Sequence, residues 1–225
     1  MNPPEPCSLT IDGHATVSAL WQQPPRPLCA YVFAHGAGAG MQHDFMAALS
    51  QALLERSVAT LRYQFPFMER GSRRPDAPAL AQATVRAAVA AAHSRLPGAP
   101  LFAGGKSFGG RMSSQAQAAA PMPGVRGLAF VGFPLHPAGK PGTERAAHLA
   151  ELRLPLLFLQ GTCDELARLD LLRGVVQGLG AGATLHVEED ADHAFHVRAR
   201  SGRIDAQVVQ SLAAAMVAWF GERSS

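Results

Sequence analysis

The sequence predicts an α/β fold: a mostly parallel, twisted sheet with helices on both faces, entered through an N-terminal antiparallel hairpin and lacking a cap domain. Three observations lead there. Continuous apolar runs, LCAYVFA at 28–34 and LPLLFL at 154–159, suit strands buried on both faces. Such runs alternate with helix-like segments along most of the chain, which implies parallel strands joined by crossover helices. Ahead of them, between Cys7 and Gln22, two short alternating runs flank Asp12-Gly13, a dipeptide whose tolerance of positive φ favours a tight hairpin turn.

The elements follow in order. PPRP at 24–27 ends the hairpin, and strand 28–34 opens the parallel part. A helix is predicted from about His43 to Arg56 and a strand over Val58–Tyr63. The polar, proline-rich stretch 64–78 then forms a loop before an alanine-rich helix, about Ala79 to Leu96, which PG at 97–98 breaks. Strand Pro100–Gly104, helix Gly109–Ala120, strands Gly127–Gly132 and Leu154–Gln160, helix Glu165–Leu179, strand Thr184–Glu188 and a last helix from about Ile204 to Phe220 complete the pattern. The segment 133–153 has three prolines and room for one short helix. An independent lid would need roughly 40 residues to bury a core, so none is expected.

The 225 residues, 48% of them hydrophobic, suit a single domain spanning 1–225. Three cysteines, at 7, 29 and 163, cannot pair completely and form no C-x-x-C, which argues against a disulfide framework or a zinc site. All three read as reduced and unreactive, with Cys163 a packed small residue. The opening MNPPEPCSLT lacks a basic start and an apolar core, and no apolar run approaches the ~18 residues of a membrane span. The expectation is a cytoplasmic protein with no membrane partner. Net charge is only +3 and the basic residues are scattered, so no nucleic-acid partner is expected.

In open parallel sheets, sites form beyond the carboxyl ends of the strands. HGAGAG, GKSFGG, GTCDE and EDADHAFH stand at four such ends. Gly105-Lys106-Ser107-Phe108-Gly109 matches G-x-S-x-G between a strand and a helix. A nucleophilic serine must stand clear of the backbone on a strained turn, and the glycines two before and two after it remove clashing Cβ atoms. The lysine precedes the serine and the long glycine–lysine spacing is missing, so a phosphate loop is excluded.

A serine hydroxyl needs a base, and the base needs an orienting group. Of nine histidines, His193 is the favoured base and His196 the alternative. The pair forms an H-x-x-H with no evident third ligand, so no metal is predicted. Asp164, four residues beyond a buried strand, is the favoured acid, with Glu165 beside it as the alternative. The amides of Ala37, with Gly38 as runner-up, and of Phe108 are the candidate oxyanion donors. Gly36, Gly38, Phe65, Pro66 and Leu135 are expected to contact substrate, with Phe65 to Met68 forming an apolar wall.

Taken together, FAHGAGAG, GGKSFGGRMSS, VGFPLHPAGKP, LFLQGTCDEL and DADHAFHV resemble the α/β-hydrolase fold over nearly the whole chain. They look closest to a family of small hydrolases similar to dienelactone hydrolases, which includes relatives of a subunit of the animal non-specific-lethal histone acetyltransferase complex. The resemblance implies a Ser107–Asp164–His193 triad, in the chain order that the fold requires. Dienelactone hydrolases use cysteine where this chain has Ser107, so lactone specificity does not carry over. The expected function is cleavage of a small carboxylic ester or thioester, without cofactor, by a monomer or homodimer. The alternatives are a peptidase using the same triad, or a catalytically idle interaction module, since some members of that family serve as scaffolds. An uncapped, shallow site further predicts a preference for short acyl chains.

Overall fold

A computed structural model describes residues 3–11, 13 and 15–224. The hairpin pairs β1 (Glu5–Ile11) antiparallel to β2 (Ala15–Gln22). Asp12, one half of its predicted turn, lies outside the described residues. β3 (Cys29–Ala34), α1 (Asp44–Leu54) and β4 (Val58–Tyr63) come next. Within the 64–78 stretch the chain makes a four-residue helix, α2 (Pro66–Glu69), before α3 (Pro78–Arg95). β5 (Leu101–Lys106) leads into α4 (Phe108–Ala119), then β6 (Val125–Val131), β7 (Leu156–Gly161), α5 (Leu169–Leu179), β8 (Ala183–Glu188) and α6 (Asp205–Gly221).

The eight strands form one sheet in the order β1-β2-β4-β3-β5-β6-β7-β8. β2 also pairs antiparallel with β4, and every pairing from β4 to β8 is parallel. The apolar runs have a physical reason. Successive side chains of a strand point to opposite faces, and both faces here are covered. Val32, Ala103, Phe130 and Phe158 join the core under α3, α4 and α5. Phe33, Phe102, Ala129 and Leu159 join the core under α1 and α6. Among the described residues no inserted segment forms a cap domain. The 133–153 stretch contains one short 3-10 helix, Glu144–Glu151.

Two sequence expectations need correction. Helix α5 begins at Leu169 rather than Glu165. Asp164 Oδ1 accepts the Leu166 N–H at 2.7 Å, and His136 Nε2 accepts the Arg168 N–H at 2.9 Å, so the chain turns before it coils. Cys163 is exposed rather than packed, on the turn that holds Asp164; Cys7 is half-buried and Cys29 buried, and all three thiols are free.

Candidate active site

The carboxyl ends of β3, β5, β7 and β8 lie along one edge of the sheet, so the loops after them meet. Ser107 follows β5 with φ 50° and ψ −115°, a region that non-glycine residues occupy only under constraint. Its neighbours make the constraint possible. A Cβ at Gly105 would stand 2.4 Å from the Ala34 carbonyl oxygen, and one at Gly109 would stand 2.6 Å from the carbonyl oxygens of Ala34 and His35. Any side chain at either position would drive the elbow off β3. The Ser107 N–H donates to Val131 O at 3.1 Å, which ties the turn to β6 as well.

His193 sits in the loop between β8 and α6. The Ser107 hydroxyl donates to His193 Nε2 at 2.8 Å, and His193 Nδ1 donates to Asp164 Oδ2 at 2.7 Å. The Asp164 side chain is 1% exposed and that of His193 24%. This exposure difference suits an orienting acid sealed from water and a base that reaches the surface of a cleft. The His193 loop is braced internally: Asp192 Oδ1 accepts the amides of Ala194 at 2.8 Å and His196 at 3.0 Å. An isolated bridge between Ala191 and Val197 closes it. His196, the alternative base, points elsewhere, with Nδ1 2.9 Å from Asp205 Oδ2 on the exposed surface. Glu165, the alternative acid, is exposed. No group of three or more His, Cys, Asp or Glu among the described residues is arranged to hold a metal ion.

The loop after β3 runs directly over the elbow: a Cβ at Gly36 would lie 3.6 Å from the Ser107 Cβ. Its conformation is fixed by His35, which is fully buried. His35 Nδ1 donates to Gly36 O at 2.7 Å, and Nε2 accepts the Phe65 N–H at 2.9 Å. Burial holds the imidazole pKa down to about 4, so the ring stays neutral and keeps its acceptor nitrogen. On the other side, the first hydrogen-bonded turn of α4 closes from Arg111 N–H to Ser107 O at 3.2 Å. The amide of Phe108 therefore belongs to the open N-terminus of that helix, where backbone donors and the helix dipole favour negative charge.

A cavity of 380 Å³ opens at Ser107, lined by Gly36, Ala37, Gly38, Ala39, His43, Phe45, Met46, Lys106, Leu166, His193 and Ala194. The loop glycines and Ala37 thus lie where the sequence put them. Phe65, Pro66 and Leu135 do not line it. Phe65 is fully buried, with its ring 5.0 Å from His35 and 5.2 Å from Phe108. Pro66 starts α2 and is buried, and Leu135 is sealed in the core. Phe65 packs against both the His35 loop and the elbow. The walls come instead from Phe45 and Met46 at the start of α1, from Leu166 and from Ala194. Their one sequence signal was proximity to the HGAGAG, GTCDE and D-A-D-H-A loops.

Solved structures of other proteins share this architecture. An α/β serine hydrolase homologue from Coxiella burnetii is 19% identical and superimposes with a TM-score of 0.76 over 94% of this chain and 97% of its own. A serine hydrolase without lid from Xanthomonas campestris, also 19% identical, covers 97% of this chain and 98% of its own at 0.73. A dienelactone hydrolase from Anabaena variabilis is 17% identical, with 99% of both chains covered at 0.76. At these identities the likeness is one of fold. The family described as "Alpha/beta hydrolase domain" matches residues 28–221, from the first parallel strand to the end of α6, and the chain belongs to that family.

Proposed function

We propose that the protein is a serine hydrolase that cleaves small carboxylic esters or thioesters through an acyl-enzyme on Ser107. The observation that carries this reading is the unbroken chain Ser107 Oγ–His193 Nε2, 2.8 Å, and His193 Nδ1–Asp164 Oδ2, 2.7 Å, opening on a cavity. In the first step Ser107 Oγ attacks the acyl carbon while His193 Nε2 takes the hydroxyl proton. The proton then passes to the departing alcohol or thiol. Asp164 holds the Nδ1–H tautomer and stabilises the transient imidazolium. The amides of Ala37 and Phe108 receive the oxyanion of the tetrahedral intermediate. Water, deprotonated by His193, releases the acid in the second half-reaction.

An interaction module that had lost catalysis would have no physical need for a buried carboxylate aligned on a histidine and a strained serine. A cytoplasmic location and a monomeric or dimeric state belong to the same reading. Among the described residues no helix is long and apolar enough to cross a membrane. The test is incubation with a fluorophosphonate probe and mass mapping of the adduct. Labelling confined to Ser107, and abolished in Ser107→Ala, is the expected result; an unlabelled wild-type protein would overturn the proposal.

A further inference from the structure

Two polar side chains outside the triad are aimed at it. Gln160, next to last in β7, is fully buried in a run that is otherwise apolar. Its Nε2 donates to Asp164 Oδ2, the oxygen that also receives the His193 proton. Its own Oε1 is buried without a partner. An orphaned buried acceptor of this kind opposes folding, and an apolar residue of the same shape would remove the penalty.

Lys106 immediately precedes the nucleophile. Its Nζ donates to the carbonyl oxygen of His193, so the residue before the nucleophile grips the backbone of the base. The ammonium lies 5.3 Å from the Phe195 ring centroid and 6.0 Å from that of Phe45. A Cβ at Gly132 would stand 3.1 Å from Lys106 Nζ and 3.5 Å from His193 Cε1, so glycine there leaves room for both. No ion pair involves Lys106 among the described residues. Burial lowers its pKa to about 8, against the pull of Asp164 and Asp192. Lys106 is half-buried and borders the cavity, and its ammonium gives up part of its hydration there.

We infer that Gln160 and Lys106 are positioning residues of the triad: Gln160 fixes the Asp164 carboxylate toward His193, and Lys106 clamps the His193 backbone onto the nucleophile elbow. Both act through other residues. Gln160 leaves one carboxylate oxygen shared between two donors while the Leu166 N–H holds the other, so the carboxylate cannot rotate. Lys106 sets how far the His193 loop stands from Ser107, the distance on which proton transfer depends. The inference rests on the triad reading above.

The experiment replaces each residue with methionine, which matches its length and flexibility but offers no donor. Gln160→Met and Lys106→Met are expected to melt at or above the wild-type temperature. Both should lose kcat on a short nitrophenyl ester by on the order of 10²-fold, as expected for a displaced catalytic group, with KM unchanged. The rate of fluorophosphonate labelling at Ser107 should fall in parallel. Amide hydrogen exchange of Ala194 to His196 should speed up in Lys106→Met and not in Gln160→Met. Wild-type kcat in either variant overturns the assignment of that residue. So does a joint fall of melting temperature and activity, which marks a structural role, or a raised KM with kcat intact at Lys106, which marks a substrate contact. A wild-type protein that is not labelled removes the triad reading and this inference with it; a labelled wild type with unaffected variants removes the inference alone.

Discussion

Lowering the pH from about 7 to about 4 should destabilise the fold by about 3 kcal/mol through His35 alone, and a His35→Gln variant should not show that loss. The ring is fully buried, and its Nε2 must stay unprotonated to accept the Phe65 N–H. Burial holds its pKa at about 4 against an ordinary 6.5, although the Gly36 and Ala39 backbones pull it upward. Between those two values the unfolded chain binds a proton that the native state does not, so stability rises with pH across the window. The contribution is complete above 6.5 and is lost as the pH falls to 4. At about 1.4 kcal/mol per pH unit the gap amounts to about 3 kcal/mol, a large share of the ~5–15 kcal/mol that holds a typical domain. The buried carboxylate Glu188 acts in a lower window. Burial would raise its pKa, but hydrogen bonds from His186, Ser211 and Arg203 outweigh that and hold it at about 2, so its contribution fades only below its ordinary 4.5. Urea unfolding of both proteins in steps of about half a pH unit, extrapolated linearly to water, reads the difference. The wild-type curve should fall away from that of His35→Gln between 6.5 and 4 and then run parallel to it. Curves that are parallel throughout would show that His35 takes up its proton in the native state, and would refute the neutral, bridging role.

Ser107→Ala should abolish ester hydrolysis, a loss on the order of 10⁶-fold in kcat, while the purified protein keeps its cooperative melt; retention of most activity would remove Ser107 as nucleophile. His193→Ala and Asp164→Ala should combine with it far from additively, because the three act as one unit. His196→Ala and Glu165→Ala should stay near wild type in the same assay, since one side chain pairs with Asp205 on the surface and the other is exposed. In a chain-length series of nitrophenyl esters, acetyl and butyryl should show higher kcat/KM than lauroyl and palmitoyl, because a 380 Å³ cavity without a lid holds little of a long chain. An optimum at long chains would instead implicate the 570 Å³ groove between α1 and α6, which shares His43, Phe45 and Ala194 with the cavity.

The part of the site that could be read from sequence is the part whose constraints are local. A strand that is buried on both faces announces itself by an apolar run, and the residues just beyond its end fall at the sheet edge. Ser107 and Asp164 each stand past such a run, and His193 past the half-exposed edge strand β8, so parallel topology brings them together from positions 57 and 86 residues apart, the longer being the separation of the serine and histidine. The glycines at 105 and 109 are equally legible, since an exposed serine on a strand-to-helix turn needs them whatever surrounds it. The wall of the cavity was not legible. Phe65 and Pro66 look the same in sequence whether they line a pocket or fill the space beneath one. The choice was made by His35, whose ring captures the Phe65 amide and turns the chain inward.

Lys106 and Gln160 fall between these cases. Each is a polar residue at the end of an apolar strand run, LFAGGK and LLFLQG. Hydrophobic periodicity alone treats such a residue as the place where a strand comes out into water. Here β3 and β6 flank the first, which is half-buried at the edge of the cavity, and β8 and the turn at Asp164 cover the second, which is fully buried. A polar side chain kept at the sealed end of a buried strand opposes folding, and it persists only where something beside it needs a donor. In this fold the carboxyl ends of the strands are also where the nucleophile, acid and base converge. Polar residues that terminate the apolar runs of β5 and β7 are therefore the ones to test next to the triad, ahead of the exposed Cys163 or the surface pair His196–Asp205.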